Sequence, residues 1–324
     1  MEIIGFVEHH NDRGVSGWCI HADPDMRSTP VSLQLYIGDL LLREAYTNRP
    51  REDIRRGHHV GEAGFLFSLR PDLLELLPEN SVLRVTTASG TPVLPLKETN
   101  IRPIGRAKDD GNARRTRLNE GWHIDQWGHM KIPFGNDPGR KAKYIQSMRK
   151  VSEFFMLRYG LPLFPAYGTL LGYARDGSLI DHDDDVDTAY LSRQQSLEGV
   201  AAEFWHIMRD MKNLGHEVTI VDTGHCNLSL RDSNLPGVDI FASWLSPEDN
   251  FFCYPRILEK APGQVLFEKI ELEGEIFIAP QPIEAFVKMM YGDNWKTPDR
   301  QWQSVVPRKM KRIMEALKVL SEDI

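Results

Sequence analysis

Cysteine is scarce in this chain: there are only Cys19, Cys226 and Cys253, and no two of them form a CxxC pair. That excludes a disulfide framework and zinc-finger spacing, and it fits a reducing, cytoplasmic compartment. Positive charge is not in excess either, since the formal net charge is −7. A general nucleic-acid binder, whose footprint is basic, is thereby excluded. No uninterrupted apolar run reaches the length that spans a bilayer. The opening Met1-Glu-Ile-Ile-Gly-Phe-Val-Glu8 has no basic segment ahead of a long apolar one, so no secretion signal is expected. The Asn227-Leu-Ser229 sequon then reads as accidental. What remains is ordinary: 41% hydrophobic and 26% charged over 324 residues, the profile of a globular protein with room for two domains.

Residues 1–98 read as a small all-β, sandwich-like module. Short β-rich runs (residues 3–7, 15–20, 31–37, 64–69, 82–87 and 92–96) alternate with turn-rich breaks such as Asn11-Asp-Arg-Gly14. Through Gly17-Trp18, residues 51–56 and Gly61-Glu-Ala-Gly-Phe65, the module loosely resembles a β-module that precedes glycosyltransferase-type domains in some bacterial proteins. Trp18 reads as a core residue rather than an exposed sugar platform, because aromatics fill small cores. Residues 99–137 read as a linker. Its Arg102, Arg106, Lys108, Arg114, Arg115 and Arg117 make a solvated connector, or alternatively a peripheral contact with an anionic surface at the inner face of a membrane. A hairpin is expected around Gly128.

From residue 138 to 324 the pattern is that of an α+β domain. Asp137 can cap a helix, Pro138 suits its first position and Gly160 its end, and Tyr144, Met148, Val151 and Phe155 form its apolar stripe. Residues 161–167 read as the first core strand, with Pro162 and Pro165, which cannot donate to a ladder, implying an edge position or an irregular course. A second helix carries Leu197, Val200, Ala201, Phe204, Met208 and Met211 on one face and stops at Gly215. Strands are predicted at residues 217–221, 227–231 and 238–242, with a turn at Asp222-Thr-Gly-His225. Helix, strand, helix and three strands in that order imply a mixed sheet with helices packed on it.

The chemistry concentrates in residues 166–191. Five acids, Asp181, Asp183, Asp184, Asp185 and Asp187, precede the apolar Val186-Asp-Thr-Ala-Tyr-Leu191. In an extended chain Asp185 and Asp187 share a face while Val186 points into the core. Two carboxylates so placed repel each other and resist desolvation unless a cation neutralises them. Mg²⁺ (or Mn²⁺) with a substrate phosphate suits such a site. A solvated acidic loop is the plainer alternative, disfavoured by the strand that follows at once. EF-hand spacing is absent. Asp239, alone among apolar neighbours in Gly237-Val-Asp-Ile-Phe241, either faces solvent or completes the set from an adjacent strand. Gly168 and Thr169 open a helix whose free N–H groups favour an anion, and Arg175 either holds a phosphate or pairs with Asp176 or Asp181. His182 is a candidate base or a partner to the acids.

Tyr167-Gly-Thr-Leu-Leu-Gly-Tyr-Ala-Arg175 and Leu179-Ile-Asp-His-Asp-Asp-Asp-Val-Asp187 resemble the signature of the LicD family, which includes the fukutin-related proteins. Gly237-Val-Asp-Ile-Phe241 and the stretch from Phe277 to Tyr291-Gly-Asp-Asn-Trp295 extend the resemblance over about residues 140–300. It implies a nucleotidyltransferase-like fold and transfer of a phospho-alcohol (a phosphocholine- or polyol-phosphate-like group) from a CDP-activated donor to a glycan or glycolipid hydroxyl, releasing CMP. Carried over by position, Asp185, Asp187 and Asp239 are its metal ligands and Asp183 an adjacent acid of the motif. Gly168 and Thr169 form the phosphate-side turn, with Arg175 as a donor-phosphate contact. One departure is His182 after Asp181, where the family commonly has an aromatic, which bears on the donor's identity. The base is Asp183 or Asp239. Attack on the α-phosphate, releasing pyrophosphate, and a catalytically silent glycan-binding protein are the rival readings.

Overall fold

In the computed structural model the described residues are 2–58, 61–75, 77–88, 94–95, 104–107, 112–124, 130–181, 183–231, 233–259, 265–297, 306 and 308–322. The chain divides between Ile132 and Pro133 into two compact units, Met1–Ile132 and Pro133–Pro298 with Val305–Ile324. The boundary falls inside the stretch read as a linker.

The first unit is β-rich. Strands β1 (Ile3–Asn11), β2 (Gly14–His21) and β5 (Gly64–Ser68) form one antiparallel sheet in the order β1-β2-β5. A second sheet has the order β4-β3-β6, from β3 (Ser32–Ile37), β4 (Leu40–Tyr46) and β6 (Arg84–Thr87). Both contribute to one core: Val7, Val15, Phe65 and Phe67 from the first, Leu33, Leu35, Leu42 and Val85 from the second. β4 escaped the sequence reading because Leu40-Leu-Leu-Arg-Glu-Ala-Tyr46 is composed of good helix formers, and pairing with β3 overrides that propensity. Of the run at residues 92–96, only Leu94 and Pro95 are described. Trp18 is buried with Ile20, Ile54 and Ala63, beside helix α1 (Glu52–His58), so it is a core residue. Helices α2 (Pro71–Leu74) and α3 (Asn112–Asn119) follow. The expected hairpin is present as β7 (His123–Ile124) paired with β8 (Met130–Lys131); its loop around Gly128 lies outside the described residues.

The second unit is α+β, built on a mixed seven-stranded sheet. Helix α4 (Pro138–Tyr159) starts at Asp137, whose carboxylate accepts the Arg140 N–H at 2.9 Å, and ends at Gly160 in the left-handed region (φ 63°). Strand β9 (Leu163–Pro165) is short, lies at the sheet edge, and gives way to α5 (Tyr167–Asp176). After the acidic segment come β10 (Asp187–Leu191), α6 (Leu197–Asn213), β11 (Glu217–Asp222), β12 (His225–Ser229) and β13 (Val238–Leu245). The order β11-β12-β13-β10-β9 has one parallel pair, β10 with β13; β14 (Phe251–Cys253) adds to the far half of β13, and β15 (Arg256–Leu258) adds to β14. A separate hairpin, β16 (Leu266–Leu272) and β17 (Glu275–Gln281), leads into α7 (Ile283–Tyr291), and α8 (Arg308–Glu322) packs on α6.

The predicted stripes do bury. Met148, Val151 and Phe155 of α4, and Phe204, Met208 and Met211 of α6, share a core with Tyr190, Ile240 and Trp244 of the sheet. Each such side chain contributes roughly 1.5–3 kcal/mol on leaving water, which holds β10 and β13 rigidly side by side. Among the described residues, no helix is long and apolar enough to cross a membrane.

Candidate functional site

The acidic segment reaches the sheet under backbone control. The N–H groups of Phe134 and Gly135 donate to the carbonyls of Asp183 and Asp181 at 2.9 and 2.8 Å, pinning the segment to the chain just before α4. From there the side chains alternate: Asp183, Asp185 and Asp187 are half-buried, while Asp184, Val186 and Thr188 are buried. Val186 and Thr188 go into the core; β10 itself begins at Asp187, and Asp183 to Val186 lead into it outside any regular strand.

Asp184 belongs to the inward set, and Arg140 accounts for it. The Arg140 guanidinium donates to the Asp184 carbonyl at 2.5 Å and lies 3.7 Å from its carboxylate, with the Phe134 and Tyr144 rings 5.6 and 5.2 Å away. One oxygen from each of Asp183, Asp184 and Asp185 can be chosen so that all lie within 4.8 Å of one another. With Asp184 already neutralised by an arginine, we read it as an anchor of the segment. Asp185 and Asp187 have no such cation among their described contacts.

Asp187 is oriented from three sides. Its N–H donates to the Thr169 hydroxyl at 2.8 Å, its Oδ2 accepts the Gly168 N–H at 3.1 Å, and its backbone pairs in parallel register with Asp239. The start of α5 is thus spent on positioning a carboxylate. A Cβ at Gly168 would come within 2.5 Å of Asp183 Oδ2 and 3.5 Å of Asp187 Oδ2, so only glycine lets both acids close on the helix start.

Asp239 stands opposite Asp187 on β13, on the same face of the sheet. Its Oδ1 accepts from Asn227 Nδ2 at 2.8 Å and lies 3.7 Å from His225 Nε2. Asn227 and Asp239 are partners across β12 and β13, as are His225 and Phe241. The His225 ring stacks on Phe241 with centroids 4.1 Å apart. A Cβ at Gly237 would overlap Asn227 Oδ1, so the glycine of the Gly-Val-Asp motif makes room for the amide that holds the aspartate.

The electrostatics follow from this crowding. Burial, then the charges of Asp183 and Asp187, push the Asp185 carboxyl well above the usual range; burial, then Asp239 and Asp183, do the same to Asp187, against the lowering effect of the Gly168 N–H. Asp187 and Asp239, in register on neighbouring strands, with Asp185 close to both, are a carboxylate donor set that fits a hard divalent ion.

Two tyrosines and an arginine lie nearby. Tyr167 begins α5 with φ 39°, unusual for a residue with a Cβ, and its hydroxyl donates to the carbonyls of Cys253 and Tyr254 at 2.9 and 2.6 Å. Tyr291, the last residue of α7, feels Asp187 and Asp183 strongly enough that, after burial, they raise its hydroxyl well above its ordinary value. Arg256 on β15 is 4% exposed, and its charge acts on both tyrosines.

The structure therefore brings Asp183, Asp185, Asp187, Asp239, Gly168 and Thr169 together. The Gly168 N–H and the Thr169 hydroxyl contact Asp187. Arg175 pairs with Asp176 at 2.9 Å. His182 lies outside the described residues. Gly292 ends α7, and Trp295 is buried at 7% exposure, packed as a core residue. Sequence reasoning missed His225, Asn227 and Arg256. His225 was assigned to a turn, whereas it opens β12, two residues from Asn227 and on the same face; the alternation His225-Cys-Asn227 ahead of Gly-Val-Asp was the available signal.

A parallel strand pair carrying acids lies beside a glycine-started helix. Residues 160–262 match the family model described as LicD/FKTN/FKRP, nucleotidyltransferase domain. The matched segment is similar to that family, and it contains every acid of the site together with Gly168, Thr169, Arg175, His225 and Asn227. No curated protein matches the chain.

Proposed function

We propose that the protein is a metal-dependent phosphotransferase. It moves a phospho-alcohol from a CDP-activated donor to a hydroxyl of a cell-surface glycan or glycolipid and releases CMP. The single observation that carries this reading is the register of Asp187 against Asp239 on parallel strands, with Asp185 close enough to feel the charges of both. Asp185, Asp187 and Asp239 hold the ion, Mg²⁺ or Mn²⁺, which when bound neutralises the donor's diphosphate.

The protein's own groups do the rest by placement. The rigid β10–β13 pair fixes the carboxylates, and Gly168 and Thr169 fix Asp187. The acceptor oxygen attacks the distal phosphorus in line, the bond from that phosphorus to the bridging oxygen breaks, and CMP carries the bridging oxygen away. The proton of the acceptor hydroxyl passes to Asp183 or Asp239; each already accepts one hydrogen bond at Oδ1, Asp183 from the Asp184 N–H and Asp239 from Asn227. Arg256 supplies positive charge behind Tyr167 and Tyr291, and Arg175 reaches a donor phosphate only by leaving Asp176.

Incubation with a panel of CDP-alcohols, a glycan acceptor and Mg²⁺ tests the reading. Release of CMP by the wild type, and its loss in Asp185→Asn, is the expected result. Release of pyrophosphate from a nucleoside triphosphate instead would favour the α-phosphate reaction, and glycan binding without donor consumption the silent reading.

A further inference from the structure

Asp239 Oδ1 is met by two side chains of the neighbouring strand β12. Asn227 Nδ2 donates to it at 2.8 Å, and His225 Nε2 points at the same oxygen from 3.7 Å. That nitrogen is buried and has no hydrogen-bond partner among the described residues, which is costly for a ring nitrogen beside a carboxylate. The ring cannot swing away cheaply. It is stacked on Phe241 (interplanar angle 18°), and Phe241 in turn lies 4.6 Å from the Tyr167 ring. The β12–β13 register fixes both donors, since His225 pairs with Phe241 and Asn227 with Asp239. Gly237 clears the space that Asn227 needs.

We infer that His225 and Asn227 are positioning residues that clamp Oδ1 of Asp239, so that its other oxygen faces the bound divalent ion. The inference rests on the reading of Asp239 as a metal ligand. In the Nε2–H tautomer, as in the imidazolium, the ring donates from Nε2. A movement of under 1 Å converts the 3.7 Å approach into a hydrogen bond. Ligating carboxylates held in this way typically lose 10–100-fold in metal affinity when their partner is removed.

The test is Mn²⁺ binding to the full chain, followed by electron paramagnetic resonance without substrate, for the wild type, His225→Ala, Asn227→Ala and His225→Gln. The melting midpoint of each is measured in parallel. About 10–100-fold weaker Mn²⁺ binding is expected in either alanine variant, with substantial recovery in His225→Gln, whose amide can donate to the same oxygen. Unchanged Mn²⁺ affinity in folded His225→Ala overturns the role of the histidine. Nitrogen coupling to bound Mn²⁺ that disappears in His225→Ala overturns it too, because the ring would then be a ligand. Should His225→Ala not fold, Asn227→Ala and His225→Gln decide, a glutamine variant with alanine-like affinity counting against the clamp. A wild type that binds no Mn²⁺ removes the metal reading itself, an outcome distinct from a wild type that binds and variants that do not differ.

Discussion

Asp187 shows how much of this site is spent on a single carboxylate. Its amide, one carboxylate oxygen and its strand register are all fixed by neighbours, and the reward is a group in mutual repulsion with Asp239 and Asp183. Without metal this destabilises the fold. The folded state keeps protons on Asp185 and Asp187 that the unfolded chain releases near pH 4. Their contribution is therefore most favourable below that pH and declines as the pH rises through the elevated folded values. Asp187→Asn retains the acceptor for the Gly168 N–H and removes the charge. In EDTA it should melt above the wild type, by about 2–4 °C for each kcal/mol of repulsion relieved, with a gap that widens from pH 5 to pH 8. Scanning fluorimetry reads this directly, and a variant that melts lower at pH 8 would contradict it. Gly168→Ala acts in the opposite sense. Its methyl group would displace Asp183 or Asp187, so Mn²⁺ binding should fall by at least ~10-fold while the circular dichroism of the fold persists.

At the scale of elements, the parallel pairing of β10 and β13 decides where the acids stand, and the helices hold that pair in place. α4 and α6 are tied at the surface by Arg158 and Asp210, whose two bonds measure 2.5 and 2.7 Å, and by the Tyr159 hydroxyl on the same carboxylate at 2.7 Å. Arg158 and Tyr159 together hold the Asp210 carboxyl well below the usual range. Exposure discounts the pair, so Asp210→Ala should cost only about 0.2–1 kcal/mol by urea denaturation and leave Mn²⁺ affinity unchanged. Much at this scale was legible in the sequence. Asp137, Pro138 and Gly160 marked α4, and the alternation of Asp185, Val186 and Asp187 put Val186 in the core. Less legible was what is decided across strands. Nothing local says that Asn227 pairs with Asp239, that Arg140 neutralises Asp184, or that Thr169 bonds to the strand, because each contact joins residues separated along the chain by more than ten positions. The strand at Leu40–Tyr46 was missed for a related reason: helix-favouring residues accept a strand when β3 offers them a partner.

Among the described residues each unit has a large core of its own, one around Phe65 and Phe67 and one around Phe155, Phe204 and Trp244. Calorimetry should accordingly resolve two unfolding transitions. A divalent ion at 100 times its dissociation constant should raise only the one belonging to residues 133–298, by about 2.7 kcal/mol of added stability. A metal-dependent shift of both, or of the other, would contradict the placement of the site. The core division follows from sequence in outline, whereas the boundary at Ile132 does not, since polar residues 99–124 give no apolar pattern to assign them to either unit. The central claim is the cradle formed by Asp185, Asp187 and Asp239. Anomalous diffraction from crystals soaked in Mn²⁺ tests it most directly. The account requires a peak within about 2.0–2.4 Å of an oxygen from each of those three; a peak held by Asp183 and Asp184 with Asp239 turned away, or no peak at all, would contradict it.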